Sequence, residues 1–439
     1  MLIHLLNEYA PTMARSRSAP ARQPALREHN LALVLGEVAA AGPTSRARIA
    51  AATGLTKATV STLVDSLVAA GLLRESGLPV APGPVTRAGR PGTALTLAGG
   101  PVGIGLEINV DYVATCTVDL AGGVRRRELV AEDLRRTGVD AALARAAVAL
   151  RTALDDVAAG GDDLAGVCVA VPGLVDARSG LLRLAPNLGW RDVAVLDELA
   201  ARVGTGPAGE LPRAGLVLGN EANLAALGEL WAGGHRRPDD GPLESFLHVS
   251  GEIGIGAAVV LDGEVFTGTR GFAGEIGHLP LAADGPPCGC GSRGCLELYA
   301  GQEAILRAAG LAGSPRTSVG RPGGPVDELI GRAVAGDART LSALADAGRA
   351  LGVGVAVAVN LVDVDTVVLG GIYARLARWL LPLVRAELAA RVLSSAWDPV
   401  QVVVGGLGGD AAVRGAARRA VRSVIADPAG WIAARSGST

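Results

Sequence analysis

Residues 271–301 read GFAGEIGHLPLAADGPPCGCGSRGCLELYAG. Three of the chain's five cysteines, Cys288, Cys290 and Cys295, fall within eight positions of one another, and His278 stands ten positions before the first. One imidazole with three thiolates is the donor set of a closed tetrahedral structural zinc site, and four protein ligands leave no open position for metal catalysis. Gly289, Gly291 and Gly294 allow the tight backbone turns that wrapping a small ion demands. The stretch therefore predicts one structural Zn2+ per chain. Two carboxylates, Glu275 and Glu297, flank the site, and a metal there pins them in place. Carboxylates meet adjacent hydroxyl groups well, each charge-assisted hydrogen bond contributing on the order of 1.5–3 kcal/mol.

Around this stretch the composition is that of an ordered globular protein: 49% hydrophobic and 19% charged residues, rich in small aliphatics, in a chain of 439 residues. That length exceeds one ordinary core and predicts two or three domains. Cys116 and Cys168 sit alone in apolar, strand-like runs and read as buried structural thiols, not as part of a disulfide framework. The sequence contains no uninterrupted apolar run of roughly 18 residues, and its start, MLIHLL, lacks the basic region and long apolar stretch of a signal peptide. A cytoplasmic protein with no membrane partner is expected.

Charge divides the chain unevenly. Residues 1–100 carry ten Lys/Arg against five Asp/Glu, so this segment is basic while the remainder is acidic. A Pro/Arg/Ser tail, residues 1–24, reads as disordered, and residues 25–98 then form a domain of their own. In TSRARIAAATGLTKATVSTLVDSLVAAGLLRES (residues 44–76), Ser45 is placed to cap one helix, Gly54 to make the turn, and Thr56 to cap the next, which Gly71 ends. Val60, Leu63, Val64 and Leu67 share one face of that helix by their spacing. Thr56, Lys57, Thr59, Ser61 and Thr62 lie near its exposed start, as a recognition helix entering a DNA major groove requires. Two short strands around a Gly/Pro-rich loop follow, with Arg87 and Arg90 in the loop, where they suit phosphates or a narrow minor groove. Helix, Gly turn, polar-faced helix and basic wing in succession define a winged helix-turn-helix.

From residue 101 strands and helices alternate. PVGIGLEINVDYVATCTVDLAGGV and SFLHVSGEIGIGAAVVLDGEVF each read as a Gly-rich hairpin that opens a run of helices and further strands. This predicts an α/β protein of two similar lobes, residues 101–225 and 226–439, with a ligand cleft between them and the final helix returning to the first lobe.

The segments VPGLVDARSGLLRLAPNLGW (171–190), GNEANLAALGEL (219–230) and the opening stretch resemble, in order and spacing, the ROK family of repressors, open reading frames and kinases. With its winged helix the chain resembles the family's transcriptional regulators of the xylose-repressor type. The resemblance implies a sugar-kinase-like fold, ribonuclease H-like and related to the actin-like ATPases, with the same four zinc ligands. It implies sugar contacts at Asn187, Asn220, Glu221, Glu275, His278 and Glu297. The implied function is a sugar-responsive regulator, a repressor of carbohydrate-utilisation genes released by a monosaccharide. It would act on an inverted-repeat operator as a homodimer or dimer of dimers. The alternatives are an active sugar kinase with a DNA-binding appendage, and a regulator that answers to a protein partner.

Three departures bear on the kinase alternative. Where the family's kinases carry an Asp-x-Gly-Gly-Thr turn for ATP phosphates, this chain has Glu107, Asn109, Val110 and Asp111. The second phosphate loop reads Gly251, Glu252, Ile253 in place of Gly-Thr-Gly. The catalytic Asn-Asp pair is Asn220 and Glu221, whose extra methylene moves the carboxylate by about 1 Å, an error that costs on the order of 100-fold. Acidic side chains in both loops oppose a polyanion, so the chain is expected not to be an enzyme and to have no catalytic residue.

Overall fold

A computed structural model describes residues 23–79, 93–176, 179–206, 209–210, 215–236, 241–311 and 324–436. The expected tail, but for its last two residues, and the wing tip with Arg87 and Arg90 lie outside the described residues. The chain divides into two compact units, one of residues 1–96 and 425–439, the other of residues 97–424.

The N-terminal unit begins with α1 (Gln23–Ala41), α2 (Arg46–Thr53) and α3 (Lys57–Ala69). Ser45 Oγ accepts the Arg48 amide, Gly54 ends α2 in the left-handed region that a β-carbon disfavours, and Thr56 Oγ1 accepts the Thr59 amide. Ile49, Val60, Leu63, Val64 and Leu67 are buried with Leu31, Val34, Leu35 and Val38 of α1. Strands β1 (Leu73–Pro79) and β2 (Thr93–Leu97) pair, and Thr44 bridges to Leu95 on the far side of β2.

The larger unit contains two five-stranded sheets of matching topology. The first comprises β3 (Pro101–Ile108), β4 (Tyr112–Asp119), β5 (Val124–Ala131), β6 (Asp163–Val171) and, later in the chain, β12 (Leu216–Asn220). Their order is β12-β6-β3-β4-β5, with β3, β4 and β5 antiparallel and β6 and β12 parallel to β3. Helix α4 (Gly138–Ala159) covers one face through Leu143, Ala146, Leu150 and Leu154. A small sheet of β7 (Leu174–Asp176), β8 (Leu181–Ala185) and β9 (Trp190–Val193) follows β6, then α5 (Val195–Val203) and the short pair β10 (Thr205–Gly206) and β11 (Gly209–Glu210).

Helix α6 (Glu221–Ala232) leads to the second sheet: β13 (Phe246–Gly251), β14 (Ile255–Leu261), β15 (Glu264–Phe266), β16 (Thr366–Gly371) and β17 (Gln401–Val404). Its order is β15-β14-β13-β16-β17, again a three-stranded meander extended by two parallel strands. Between β15 and β16 come α7 (Glu297–Ala300), α8 (Gln302–Ala308), α9 (Pro325–Val334) and α10 (Ala338–Val362), and α11 (Ile372–Arg391) follows β16. By length and composition α10 could cross a membrane, yet its apolar side is spent on the core of this lobe, where Leu344, Leu351, Val355 and Val359 are buried.

Helix α12 (Ala411–Ala426) packs back onto the first sheet. Gly105 of β3 lies so close to Val413 of α12 that a β-carbon there would collide with its carbonyl, and Gly415 meets Leu224 of α6 in the same way. Helix α6 packs on both sheets. Leu224 and Leu227 join Cys168 and Ala170 of the first, and Ala226 joins Phe246, Ala258 and Val368 of the second.

Two expected boundaries are corrected. A division at 225/226 falls inside α6, an unbroken helix that serves both lobes. The final helix is not the one that returns to the first lobe: α13 (Pro428–Ser436) packs with α1 in the N-terminal unit. Asp427, which accepts the Gly430 amide, and Pro428 at the first turn start this separate helix.

Candidate functional site: a polar cleft beside a four-ligand metal centre

The metal centre forms because the chain folds back on itself. Pro280 bridges to Cys295 and Pro287 to Arg293, while the Cys288 amide donates to Ser292 O and the Gly291 amide to Cys288 O. Gly291 and Gly294 take positive φ angles of 94° and 64°. The ligand atoms of His278, Cys288, Cys290 and Cys295 all lie within 4.8 Å of one another. Cys290 Sγ is 3.8 Å from Cys295 Sγ, and Cys288 Sγ is 3.7 Å from His278 Nδ1. A tetrahedron with metal–sulfur bonds of about 2.3 Å has sulfur–sulfur edges of about 3.8 Å, so this donor set could hold an ion of that size.

The cleft opens beside the metal centre, with a volume of about 320 Å³, within the range of small-ligand sites. Asn187, Asn220, Glu221, Glu275, His278 and Glu297 all line it, together with Cys290. Asn220 caps α6: its Oδ1 accepts the Asn223 amide at 3.0 Å and its Nδ2 donates to Gly173 O at 3.0 Å. The cap aims Glu221, the first residue of α6, into the cleft. A 3-10 turn, Ile276–His278, carries Glu275 and His278 at its two ends. Glu297 opens α7 and accepts the Cys288 thiol at 2.9 Å, which ties the cleft carboxylate to the metal loop. Gly254 lets Glu297 and Asn187 approach from two sides, since a β-carbon there would strike Glu297 Oε2 and crowd Asn187 Nδ2.

Sequence reasoning missed the apolar part of the lining, Pro172, Leu174, Leu184 and Ile253. Apolar side chains at strand ends carry no signal that separates them from core residues. It also missed the wiring of Glu107. That buried carboxylate accepts Tyr112 Oη at 2.5 Å and Asn109 Nδ2 at 3.1 Å on one oxygen, while Oε2 has no partner among the described residues. A second cavity, with room for about one water, continues inward, lined by Glu107, Glu221, Ser250, Glu252 and the start of α12.

Burial raises these carboxyl groups, Glu107 to about 7 and Glu221 to about 8, the latter raised further by Glu275. Glu252 is pushed up by burial and then by Glu107 and Asp111. A carboxyl raised in the folded state contributes stability at low pH that is lost as pH rises through its folded value, here through about 7 to 8.

On α3, Thr56 and Lys57 are exposed and Thr59 and Ser61 half-buried. The Thr56 hydroxyl is occupied by capping and lies 2.9 Å from Thr59 Oγ1.

Comparison with known proteins accounts for both units. Residues 103–422 match the ROK family model and residues 32–78 the MarR family model. The chain belongs to the ROK family. A xylose repressor of Bacillus subtilis (strain 168) is 27% identical over 90% of this chain and 95% of its own. A glucokinase of Halalkalibacterium halodurans is 31% identical, over 58% of this chain and 75% of its own. Among solved structures, a ROK family transcriptional regulator, a homologue of the E. coli MLC protein, aligns over 94% of this chain and all of its own with a TM-score of 0.71 at 23% identity. A ROK family glucokinase from Streptomyces griseus, solved with glucose and AMPPNP, covers 72% of this chain and 98% of its own, with a TM-score of 0.58 at 27% identity. The kinases match the ROK domain, whereas the repressor match runs through the winged helix as well. The chain is a sugar-responsive transcriptional repressor.

Proposed function

We propose that a monosaccharide bound between the lobes releases this repressor from its operator. The observation that carries this reading is the convergence of Asn187, Asn220, Glu221, Glu275, His278 and Glu297 on one cleft in a chain that also bears a winged helix. Carboxylate and amide oxygens at that spacing suit the vicinal hydroxyls of a sugar, and the apolar lining suits its C–H faces. The xylose repressor among the relatives makes a pentose the first sugar to try.

His278, Cys288, Cys290 and Cys295 hold Zn2+ in this reading. The ion takes the three cysteines as thiolates and would fix the loop that carries Glu275 and Glu297. Thr56, Lys57, Thr59 and Ser61, with Arg87 and Arg90 on the wing, contact operator DNA. Two copies related by a two-fold axis, as a homodimer or within a dimer of dimers, meet an inverted repeat. The protein works in the cytoplasm, where that DNA is.

Phosphotransfer is absent in this reading. Asp111 and Glu252 stand where the kinases present small residues and a hydroxyl to ATP, and α12 starts against the cavity that Glu252 lines. A coupled assay over hexoses, pentoses and N-acetylated sugars is expected to give no sugar-dependent ATP hydrolysis above background. Robust turnover would establish the kinase reading instead. Sugar binding measured by calorimetry tests the cleft directly.

A further inference from the structure

The inner end of the cleft holds more carboxyl groups than it can ionise. Glu107 comes from the first sheet, Glu252 from the end of β13 and Glu221 from the start of α6, and all three line the same water-sized cavity. Among the described residues no lysine or arginine lines that cavity or the cleft outside it. Asp111 and Glu275 add further negative charge toward the group. Asp410, ahead of α12, is already paired with Arg127. Among the described residues the favourable charge comes from the starts of two helices, α6 at Glu221 and α12, each a partial positive charge of about half a unit. On the outer side, His278 is turned by its Nδ1 toward the metal loop and Glu297. Glu107 Oε2 and Glu221 Oε2 are shielded from water and lack any partner among the described residues. Tyr112 and Asn109 donate to the other oxygen of Glu107 and Ser250 to Glu252, but these neutral donors do not balance three negative charges in one small space, so at least one proton must stay with them.

We propose that the three glutamates share a proton and that Glu221 meets the ligand as a neutral carboxylic acid, a hydrogen-bond donor, which makes the site selective for uncharged sugars and its affinity dependent on that proton. This rests on the sugar reading of the cleft. A ligand that accepts from Glu221 requires the proton to be present, and a ligand bearing phosphate brings a charge that the acidic end repels. The burial that raises Glu221 to about 8 agrees with this geometry.

Two measurements test it. Calorimetry with D-xylose and D-glucose, in buffers of different ionisation enthalpy, is expected to show the dissociation constant rising up to tenfold per pH unit above about pH 8, as one linked proton requires. Glu221→Gln, which keeps a neutral donor, is expected to remove that dependence, and Ser250→Ala to keep it. A dissociation constant flat from about pH 6 to pH 9 in the parent overturns the proposal while leaving the sugar reading intact. Infrared difference spectra of the sugar-free protein need no ligand. They are expected to show the carbonyl band of a protonated carboxylic acid near neutral pH, weakened in Glu221→Gln and in Glu107→Gln. If neither substitution alters that band, the shared proton is absent, whatever calorimetry shows. If neither sugar binds but the band behaves as expected, the shared proton stands and the sugar reading falls.

Discussion

Cys290→Ala is expected to lower bound zinc from about one ion per chain to a small fraction of that, and sugar affinity with it. Cys290 is half-buried and its neighbours Cys288 and Cys295 are buried, so among the three thiols it is the one whose loss least disturbs packing. The consequences extend beyond the metal. Glu275 and His278 share one turn, Glu297 follows the ligand Cys295 by two residues, and Cys290 itself lines the cleft. A loop released by about 1 Å misplaces two cleft carboxylates together, and displacement of that size costs on the order of 100-fold. Elemental analysis and calorimetry on the same preparation provide the check. Retention of stoichiometric zinc with undiminished affinity in Cys290→Ala would show that the ligand set is misassigned.

The second large effect is expected at Glu275. It lines the cleft, outside the winged helix that meets DNA, so Glu275→Ala should leave sugar-free operator binding at the parental level. Loss of one charge-assisted hydrogen bond to a sugar hydroxyl, about 1.5–3 kcal/mol, weakens the sugar roughly 10- to 150-fold. Operator complexes of the variant should therefore survive sugar concentrations that dissociate the parent. Anisotropy titrations of labelled operator against sugar compare the two. A variant that responds like the parent would move the effector away from this cleft and favour a protein partner as the signal.

How far the fold could be read in advance differed between the two units for physical reasons. The winged helix was legible because its signals are local: Ser45 and Thr56 cap within three residues of themselves, Gly54 turns on its own φ angle, and Val60, Leu63, Val64 and Leu67 repeat at the helical period. The metal loop was legible for the same reason, its four donors lying within eighteen positions of one another.

Other features depend on partners distant in sequence. The identical strand order of the two sheets is set by pairings such as Leu247 with Val367, and the hairpin sequences that open the two lobes do not repeat each other. Helix α6 looks from its sequence like one element of one lobe, and only packing shows Leu224 facing one sheet and Ala226 the other. The packing of α13 with α1 brings opposite ends of the chain together. The carboxylates of Asp111 and Glu252 could be read from the sequence as hostile to phosphate. That Tyr112 and Asn109 bond one oxygen of Glu107 and leave the other bare could not be read, because it depends on side-chain placement.

The central claim is that cleft and winged helix are coupled, and coupling of two sites is reciprocal. The most direct test is operator affinity at fixed salt with and without a saturating monosaccharide, paired with sugar affinity in the absence and presence of operator. A coupling free energy of about 1–3 kcal/mol predicts that sugar weakens operator binding roughly 5- to 150-fold and that operator weakens sugar binding by the same factor. A sugar that binds the cleft and leaves operator affinity unchanged would contradict the account.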